Sequence, residues 1–332
     1  ASNYNVGIGN YSMDAALNGA LNNTALGHYT LSSLTEGDSN VAIGYNAGGS
    51  LTTGGTNILI GRNAGSSGTD LAYSVIIGTY AGDAINTNNS QGSVLIGYEA
   101  GTNLTDGVNS LIGYYAGRYL STQGYNTMYG YEVGQYMNGS SNTFIGYYAG
   151  RGSSTSAPYG NGGNNVALGR EALKAISSGS YNVAIGRDSL KIATDGDHNI
   201  ALGYSSGVAL TSGDDNVLIG KNTAINLSTG TNNIAIGENA LYLENSGTYA
   251  IAIGYRAGYK NRISGTNYNT FMGYNAGREV TTGNHNTFLG NHAGYGVDGS
   301  DADNNVAIGS YSLVNITGNN NIAIGYEAGR YA

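Results

Sequence analysis

The stretch Asn182-Val-Ala-Ile-Gly186 decides the fold, because this phrase or a close variant recurs nineteen times along the 332 residues. The glycine that closes each copy serves as a marker, and ten of the eighteen intervals between successive markers have the same length as that from Gly186 to Gly203. Seven others differ from it by one or two positions, and the longest runs from Gly146 to Gly169. A short period that is kept over a whole chain is typical of stacked units, each contacting mainly its neighbours. The markers are Gly9, Gly27, Gly44, Gly61, Gly78, Gly97, Gly113, Gly130, Gly146, Gly169, Gly186, Gly203, Gly220, Gly237, Gly254, Gly273, Gly290, Gly309 and Gly325.

The positions of each unit, counted from its marker glycine as zero, show the pattern of a short strand followed by turns. Position −4 is Asn in 16 of 19 units, and position −3 is β-branched in 18. Position −1 is Ile, Leu or Met in all units but one. β-Branched and aliphatic residues suit a strand, and the Ser/Thr-Gly clusters that follow position +7 are turn signals. The unit is too short for a strand-helix-strand crossover, which takes about 30 residues.

The repeat therefore predicts an all-β fold, a parallel β-solenoid (β-roll) of about 19 coils of about 17 residues each. No shift in composition divides the chain, so we expect a single continuous solenoid domain over residues 1–332. The long interval between Gly146 and Gly169 predicts a loop insertion near residues 151–163, which contain the sole proline, Pro158. The chain has no initiator Met and no signal peptide, which favours a mature product or an excerpt from a longer protein.

The asparagine column predicts a structural ladder. Asn tolerates unusual turn dihedrals, and stacked Asn side chains can each donate a hydrogen bond to the next one along the stack. We expect this ladder to include Asn40, Asn57, Asn109, Asn126, Asn142, Asn165, Asn182, Asn199, Asn216 and Asn233.

Three consecutive apolar positions, −3 to −1, predict self-association. Successive side chains of a strand face alternate sides, so one side fills the core of the coil and the other points outward. An uncovered apolar stripe along the whole stack would exceed what soluble monomers expose, which favours burial against copies of the same chain, as a trimer or in a fibre. Position −2 is assigned to this stripe, and its larger members are Leu59, Ile76, Leu95, Phe144, Leu218, Phe271 and Phe288.

Tyrosine is the most prominent surface residue, with 29 copies, and nine of the nineteen units carry it at position +1. Tyr98, Tyr114, Tyr131 and Tyr147 occupy this position in four successive units. One hypothesis is a stacked ladder that stabilises the protein or its interface. The other is an aromatic platform that contacts sugar rings of surface glycans.

The composition excludes several classes of function. Thirteen basic residues against 21 acidic ones leave no basic stripe for nucleic acid, and no apolar run approaches the roughly 20 residues that span a bilayer. The four histidines do not form a metal-binding pattern, and no phosphate loop or nucleophile elbow is present. We therefore expect no enzyme activity, no catalytic residues, no metal and no cofactor.

The repeat phrase resembles two kinds of known protein. Val183-Ala-Ile-Gly-Arg-Asp-Ser189 is similar to the head repeats of trimeric autotransporter adhesins, the YadA-like β-roll, although those repeats are shorter. Asn286-Thr-Phe-Leu-Gly-Asn-His-Ala-Gly294 is similar to repeats of phage tail-fibre and large bacterial surface proteins. The resemblance implies a left-handed, homotrimeric β-roll that is used for attachment.

These observations favour a non-enzymatic, structural or adhesive repeat protein. It would form the rod of an extracellular fibre, adhesin or tail fibre at a cell or virion surface, with copies of itself as partners and surface glycans as further ones. A carbohydrate-binding module that uses the Tyr rows is the alternative. A polysaccharide-active enzyme is a third hypothesis, but it needs a pair of carboxylates on adjacent coils, and the sequence offers none that align.

Overall fold

The computed structural model describes residues 3–86, 90–153 and 159–330, and these residues form strands and tight turns with no helix. Their contacts divide the chain into two compact units, Ala1–Asn165 and Val166–Ala332. Each unit is a stack of parallel three-residue strands, one strand per repeat. The prediction of an all-β parallel solenoid is confirmed. Its handedness, and its continuity as one domain over residues 1–332, stay predictions.

The first unit contains nine stacked strands among its described residues. Each strand pairs with the next at equivalent repeat positions, as Val41, Ala42 and Ile43 pair with Ile58, Leu59 and Ile60. The strands are β1 (Val6–Ile8), β2 (Thr24–Leu26), β3 (Val41–Ile43), β4 (Ile58–Ile60), β5 (Val75–Ile77), β6 (Val94–Ile96), β7 (Ser110–Ile112), β8 (Thr127–Tyr129) and β9 (Thr143–Ile145).

The second unit stacks ten strands in the same register and adds a separate pair, β15 and β17, which are parallel to each other. Its strands are β10 (Val166–Leu168), β11 (Val183–Ile185), β12 (Ile200–Leu202), β13 (Val217–Ile219), β14 (Ile234–Ile236), β15 (Ser246–Thr248), β16 (Ile251–Ile253), β17 (Ser264–Thr266), β18 (Thr270–Met272), β19 (Thr287–Leu289), β20 (Val306–Ile308) and β21 (Ile322–Ile324).

The insertion predicted near residues 151–163 lies partly outside the described residues, because 154–158, including Pro158, are not among them. On its far side the chain rejoins the stack at Gly160, which forms an isolated parallel bridge with Met137. The backbone N–H of Gly160 donates to the carbonyl of Tyr136 at 3.1 Å. The extra residues of the long interval therefore lie before Gly160.

The core is built from position −2, and the assignment of this position to a self-association stripe is wrong. Leu59, Ile76, Leu95, Phe144, Leu218, Phe271 and Phe288 are fully buried within the chain. Strand alternation places −2 on the same face as the −4 asparagine, which also points inward. The side chains at −3 and −1 consequently form the outer face of the strands.

Core side chains at −2 and +4 are matched in size. Where −2 is Phe288, position +4 is Gly294, and a Cβ built on that glycine would lie 2.2 Å from the Phe288 ring. Where −2 is only Ala184, position +4 is the buried Leu190. Because interiors are close-packed, a large residue at one position requires a small one at the other. The converse does not hold in every coil, since Ala201 is accompanied by Gly207, beside which lie Leu190 and Leu218 of the neighbouring coils.

The marker glycine is required by the distance between coils. At Gly203 the backbone has φ of +136°, and a Cβ would lie 2.4 Å from the carbonyl oxygen of Gly220 in the next coil. That φ is accessible essentially only to glycine. The same close approach recurs one coil later, where a Cβ on Gly220 would lie 2.7 Å from the carbonyl of Gly237. The repeat thus ends in glycine for steric reasons.

Hydrogen bonds of the predicted asparagine ladder are seen at Asn199 and six other predicted members, whereas Nδ2 of Asn109 and Asn142 donates to the backbone carbonyls of Gln123 and Gly162. The Nδ2 of Asn199 donates to Oδ1 of Asn182 at 3.1 Å, and Asn199 Oδ1 accepts from Nδ2 of Asn216 at 2.9 Å. The same Oδ1 also accepts the backbone N–H of Asn216 at 3.1 Å, and Asn199 Nδ2 donates further to the carbonyl of Gly213 at 2.8 Å. The predicted members that show the same donation to the preceding asparagine side chain are Asn40, Asn57, Asn126, Asn165, Asn216 and Asn233.

Candidate interaction surface

The outer face of the stacked strands is mostly apolar and is uncharged. Neither position −3 nor position −1 carries a charged residue in any of the nineteen repeats. The side chains at both positions point outward, and the −2 side chain between them is buried, as in β11 and β12. Large apolar residues of this face that are exposed are Val6, Ile8, Leu26, Val41, Ile58, Ile145, Ile185, Ile200, Met272, Leu289, Ile322 and Ile324.

The four tyrosines predicted from position +1 form one continuous column on the first unit. The ring centroids of Tyr98 and Tyr114 are 5.4 Å apart, those of Tyr114 and Tyr131 are 5.1 Å apart, and those of Tyr131 and Tyr147 are 5.5 Å apart. The interplanar angles are only 13°, 6° and 12°. All four rings are exposed, by 38–43%. The column arises because equivalent positions in register stack directly above one another.

The stacking decides which part of each ring a ligand can reach. In a column of parallel rings, each internal face is covered by the next ring, so the exposed parts are the edges and the hydroxyl groups. A flat sugar platform uses ring faces. The geometry therefore favours the hypothesis of a stabilising ladder over that of a sugar platform, and contact between Tyr98, Tyr114, Tyr131 or Tyr147 and glycans stays a prediction.

Charged side chains and further tyrosines flank the column in two copies. Arg118 Nε lies 2.7 Å from Glu99 Oε2, and the guanidinium lies 4.3 Å from the ring centroid of Tyr115. In the second copy, Arg151 Nε lies 2.9 Å from Glu132 Oε2, and its guanidinium lies 4.7 Å from the centroid of Tyr148. Each ion pair joins residues of successive coils. These partly buried pairs hold the guanidinium groups against the tyrosine rings.

This duplicated arrangement was not recognised from the single-unit pattern. The sequence indicates it by a second repeat, of two units in length. Two segments recur at this distance: Gly-Tyr-Glu at 97–99 and 130–132, and Gly-Tyr-Tyr-Ala-Gly-Arg at 113–118 and 146–151. The flanking tyrosines also hydrogen-bond within the copy. A hydrogen bond with Tyr147 raises the pKa of Tyr148 to about 12, and a hydrogen bond with Glu132 raises the pKa of Tyr131.

Histidines and turn acids take structural positions. His198 stacks on Tyr181 with centroids 5.1 Å apart and an interplanar angle of 1°. The carboxylate of Asp214 accepts the backbone N–H of Asp197 at 2.8 Å, and that of Asp197 accepts the N–H of Ser180 at 2.6 Å. Within residues 3–86, 90–153 and 159–330, no group of three or more His, Cys, Asp or Glu side chains could hold a metal ion.

A buried carboxylate interrupts the core of the second unit. Glu244 occupies position +7, where most other coils have an aliphatic residue, and it is fully buried. Its oxygens accept hydrogen bonds from the N–H groups of Gly247 at 2.9 Å and Asn245 at 3.0 Å, and from Nδ2 of Asn267 at 3.0 Å. Burial raises the pKa of the Glu244 carboxyl, while these donors lower it. Among the described residues, no Lys or Arg forms an ion pair with Glu244.

Comparisons with known proteins do not assign the chain to a family. No family model matches the chain, and a search of curated proteins finds no match either. Within the described ranges, no helix has the length and apolar character to cross a membrane.

Proposed function

We propose that this chain is a non-enzymatic structural repeat protein that forms the rod of an extracellular fibre, adhesin or tail fibre. Copies of the chain associate through the outer face formed by positions −3 and −1, which takes the place of the stripe first assigned to −2. The single observation that carries the proposal is the absence of charge from both outward positions in all nineteen repeats.

The size of this face supports association. The ten stacked strands of the second unit, at about 4.8 Å per strand, extend over about 48 Å. Two outward side chains per strand give a stripe about 10 Å wide, or about 500 Å² per copy, which is at the upper end of what soluble monomers expose. Burial of two such stripes removes about 1,000 Å² from water, which reaches the lower range of specific interfaces.

The repeat also supports a role in display. Each coil presents the same outward positions, so a weak contact made by one coil is repeated along the stack. Linked weak contacts sum to high avidity without any single strong site. Attachment at a cell or virion surface by this means needs rigidity and repetition, which the paired strands and the asparagine ladder supply.

The test is the mass of the protein in solution. We expect the wild type to be larger than its 34.0 kDa monomer in sedimentation equilibrium at micromolar concentration. Ile185→Lys combined with Ile200→Lys places two charges on the outer face at exposed positions and shifts the mass toward the monomer. Charged residues at the core of an interface are strongly unfavourable.

The matched control adds the same two charges on turns, with Ser178→Lys and Asn226→Lys, both at exposed positions. It should keep the wild-type mass. Circular dichroism of all three proteins verifies that the strands are retained. A wild type that sediments as a monomer, or a double variant with unchanged mass, would contradict the proposed interface.

A further inference from the structure

The pair Tyr114 and Tyr131 stands out among the ring contacts of the column. Its centroids are 5.1 Å apart, the rings are almost parallel at 6°, and the two side chains are 38% and 42% exposed. The residues occupy the same repeat position in successive coils. Each ring of the pair is thus accessible from solvent and lies next to another tyrosine ring.

We propose that Tyr114 and Tyr131 are a site of oxidative coupling, at which a peroxidase and hydrogen peroxide form a dityrosine bond between two coils of one chain. Each phenol loses one electron and one proton to give a phenoxyl radical. The two radicals join through the carbons ortho to their hydroxyl groups, and the two ortho hydrogens return to the oxygens as the rings regain aromaticity. In sum, two tyrosines and one H₂O₂ yield one dityrosine and two molecules of water.

The surroundings of the pair promote this reaction. The hydroxyl of Tyr131 donates a hydrogen bond to the carboxylate of Glu132, so a proton acceptor is in place when the electron leaves. Tyr98 and Tyr147 stack on the outer sides of the pair, at 5.4 Å and 5.5 Å. A radical formed on any ring of the column therefore has a neighbouring ring within reach. Because both rings are exposed, they can rotate from the stack to bring their edges together.

Exposure alone does not provide this arrangement. Tyr125 is 78% exposed, and in the described part of the chain it has no ring contact. Tyr73 is 67% exposed and likewise stands apart from other described rings. These two side chains are more accessible to an oxidant than Tyr114 and Tyr131, so they separate the effect of stacking from the effect of access.

The position of the basic residues makes the product easy to identify. Trypsin cleaves after Arg62, Arg118 and Arg151, which places Tyr114 in peptide 63–118 and Tyr131 in peptide 119–151. Treatment of the full chain with horseradish peroxidase and H₂O₂ should join these two peptides and generate dityrosine fluorescence. Fragmentation spectra should locate the bond at Tyr114 and Tyr131. In a mixture of ¹⁴N- and ¹⁵N-labelled protein, the joined peptides should carry a single label.

The variants decide the outcome. Tyr131→Phe keeps the stacked ring but cannot form a phenoxyl radical, and it should reduce the yield of the joined peptides at least tenfold. Tyr125→Phe, in the same tryptic peptide, should leave the yield unchanged. The proposal is overturned if the bond maps to Tyr125 or Tyr73, if Tyr131→Phe keeps the wild-type yield, or if the joined peptides carry mixed labels. The test does not depend on the proposed self-association.

Discussion

At the scale of single residues, the asparagine column uses every polar atom of its side chain. The Oδ1 of Asn199 accepts two hydrogen bonds from Asn216, and its Nδ2 donates to Asn182 and to the carbonyls of Asp197 and Gly213. Buried amides are costly unless they are fully paired. A complete set of partners explains why Asn, rather than a similar apolar residue, recurs at position −4.

We expect Asn199→Ala to lower the free energy of unfolding by about 2–4 kcal/mol, because two buried donors of Asn216 lose their acceptor. Asn199→Ser should cost less, since Ser93 Oγ accepts the N–H of Asn109 at 3.2 Å at the equivalent place in the first unit. Asn103→Ala, at an exposed position, is the control and should change stability by less than about 0.5 kcal/mol. Urea denaturation measures all three, and equal effects for Ala at positions 199 and 103 would contradict the role of the ladder.

The sequence predicted the ladder and the tyrosine column because both follow from identical residues at identical repeat positions. It did not show which strand face is the core. Alternation separates −2 from −3 and −1, but all three positions are apolar, so both orientations satisfy the pattern. A signal was present in the sizes of two columns, because every −2 residue larger than Ala is accompanied by Gly or Ala at +4, as Phe288 is by Gly294. That pairing identifies −2 as a core position only once the two positions are seen to pack against each other.

At the scale of the element, the coil that follows Gly237 shows how one exception is compensated by others. Ala250 replaces the ladder asparagine, and the next interval, from Gly254 to Gly273, is longer than the usual one. Asn267 restores the missing acceptor, since its Oδ1 accepts the N–H of Asn269 at 3.1 Å, while its Nδ2 donates to Glu244. The cluster depends on contacts between non-equivalent positions, so a column-by-column comparison could not predict it.

The Glu244 carboxyl gives this coil a dependence on pH. Its pKa in the folded protein is raised by burial, so its contribution to stability is fully present below the pKa of an unfolded glutamate and is lost as the pH rises through the folded value. Glu244→Gln removes this titration. We expect the stability of the wild type relative to Glu244→Gln to be greatest at acidic pH and to decline as the pH rises.

The measurement is the denaturation midpoint of both proteins between about pH 4 and pH 8, a range that extends above the usual pKa of glutamate. Glu238→Gln, whose partly exposed side chain pairs with Lys221, serves as the control for loss of one carboxylate. A difference between wild type and Glu244→Gln that stays constant, or grows with pH, would contradict the assignment.

At the scale of the whole molecule, stability is distributed over the coils. Each strand pairs with the strands of adjacent coils, and the hydrogen bonds of the turns also run from one coil to the next. In such a protein the free energy of unfolding is approximately the sum of one contribution from each coil and one from each contact between neighbouring coils. Complete coils should therefore be removable, whereas parts of a coil should not.

We expect deletion of residues 204–220, one complete coil, to leave a folded protein, because Gly203 is then followed by a sequence in the same register. The β signal in circular dichroism should fall by about one coil in nineteen. Deletion of residues 204–212 instead leaves only 213–220 after Gly203, which is too short to complete a coil. This interruption of the stack should abolish cooperative unfolding of the second unit. Equal behaviour of the two deletions would contradict coil-wise stability.

The asparagine ladder has a direction. In both units amides of the ladder donate one N–H to the side-chain oxygen of the preceding coil, as Asn57 does to Asn40 and Asn233 to Asn216. Ladder oxygens accept from the following coil, as that of Asn199 does from Asn216. The amide dipoles therefore add along the stack instead of cancelling, as peptide dipoles do in a helix. A second stack approaching in the reversed orientation would oppose oxygen to oxygen or N–H to N–H. The ladder therefore gives the stack of coils in each unit two chemically different ends.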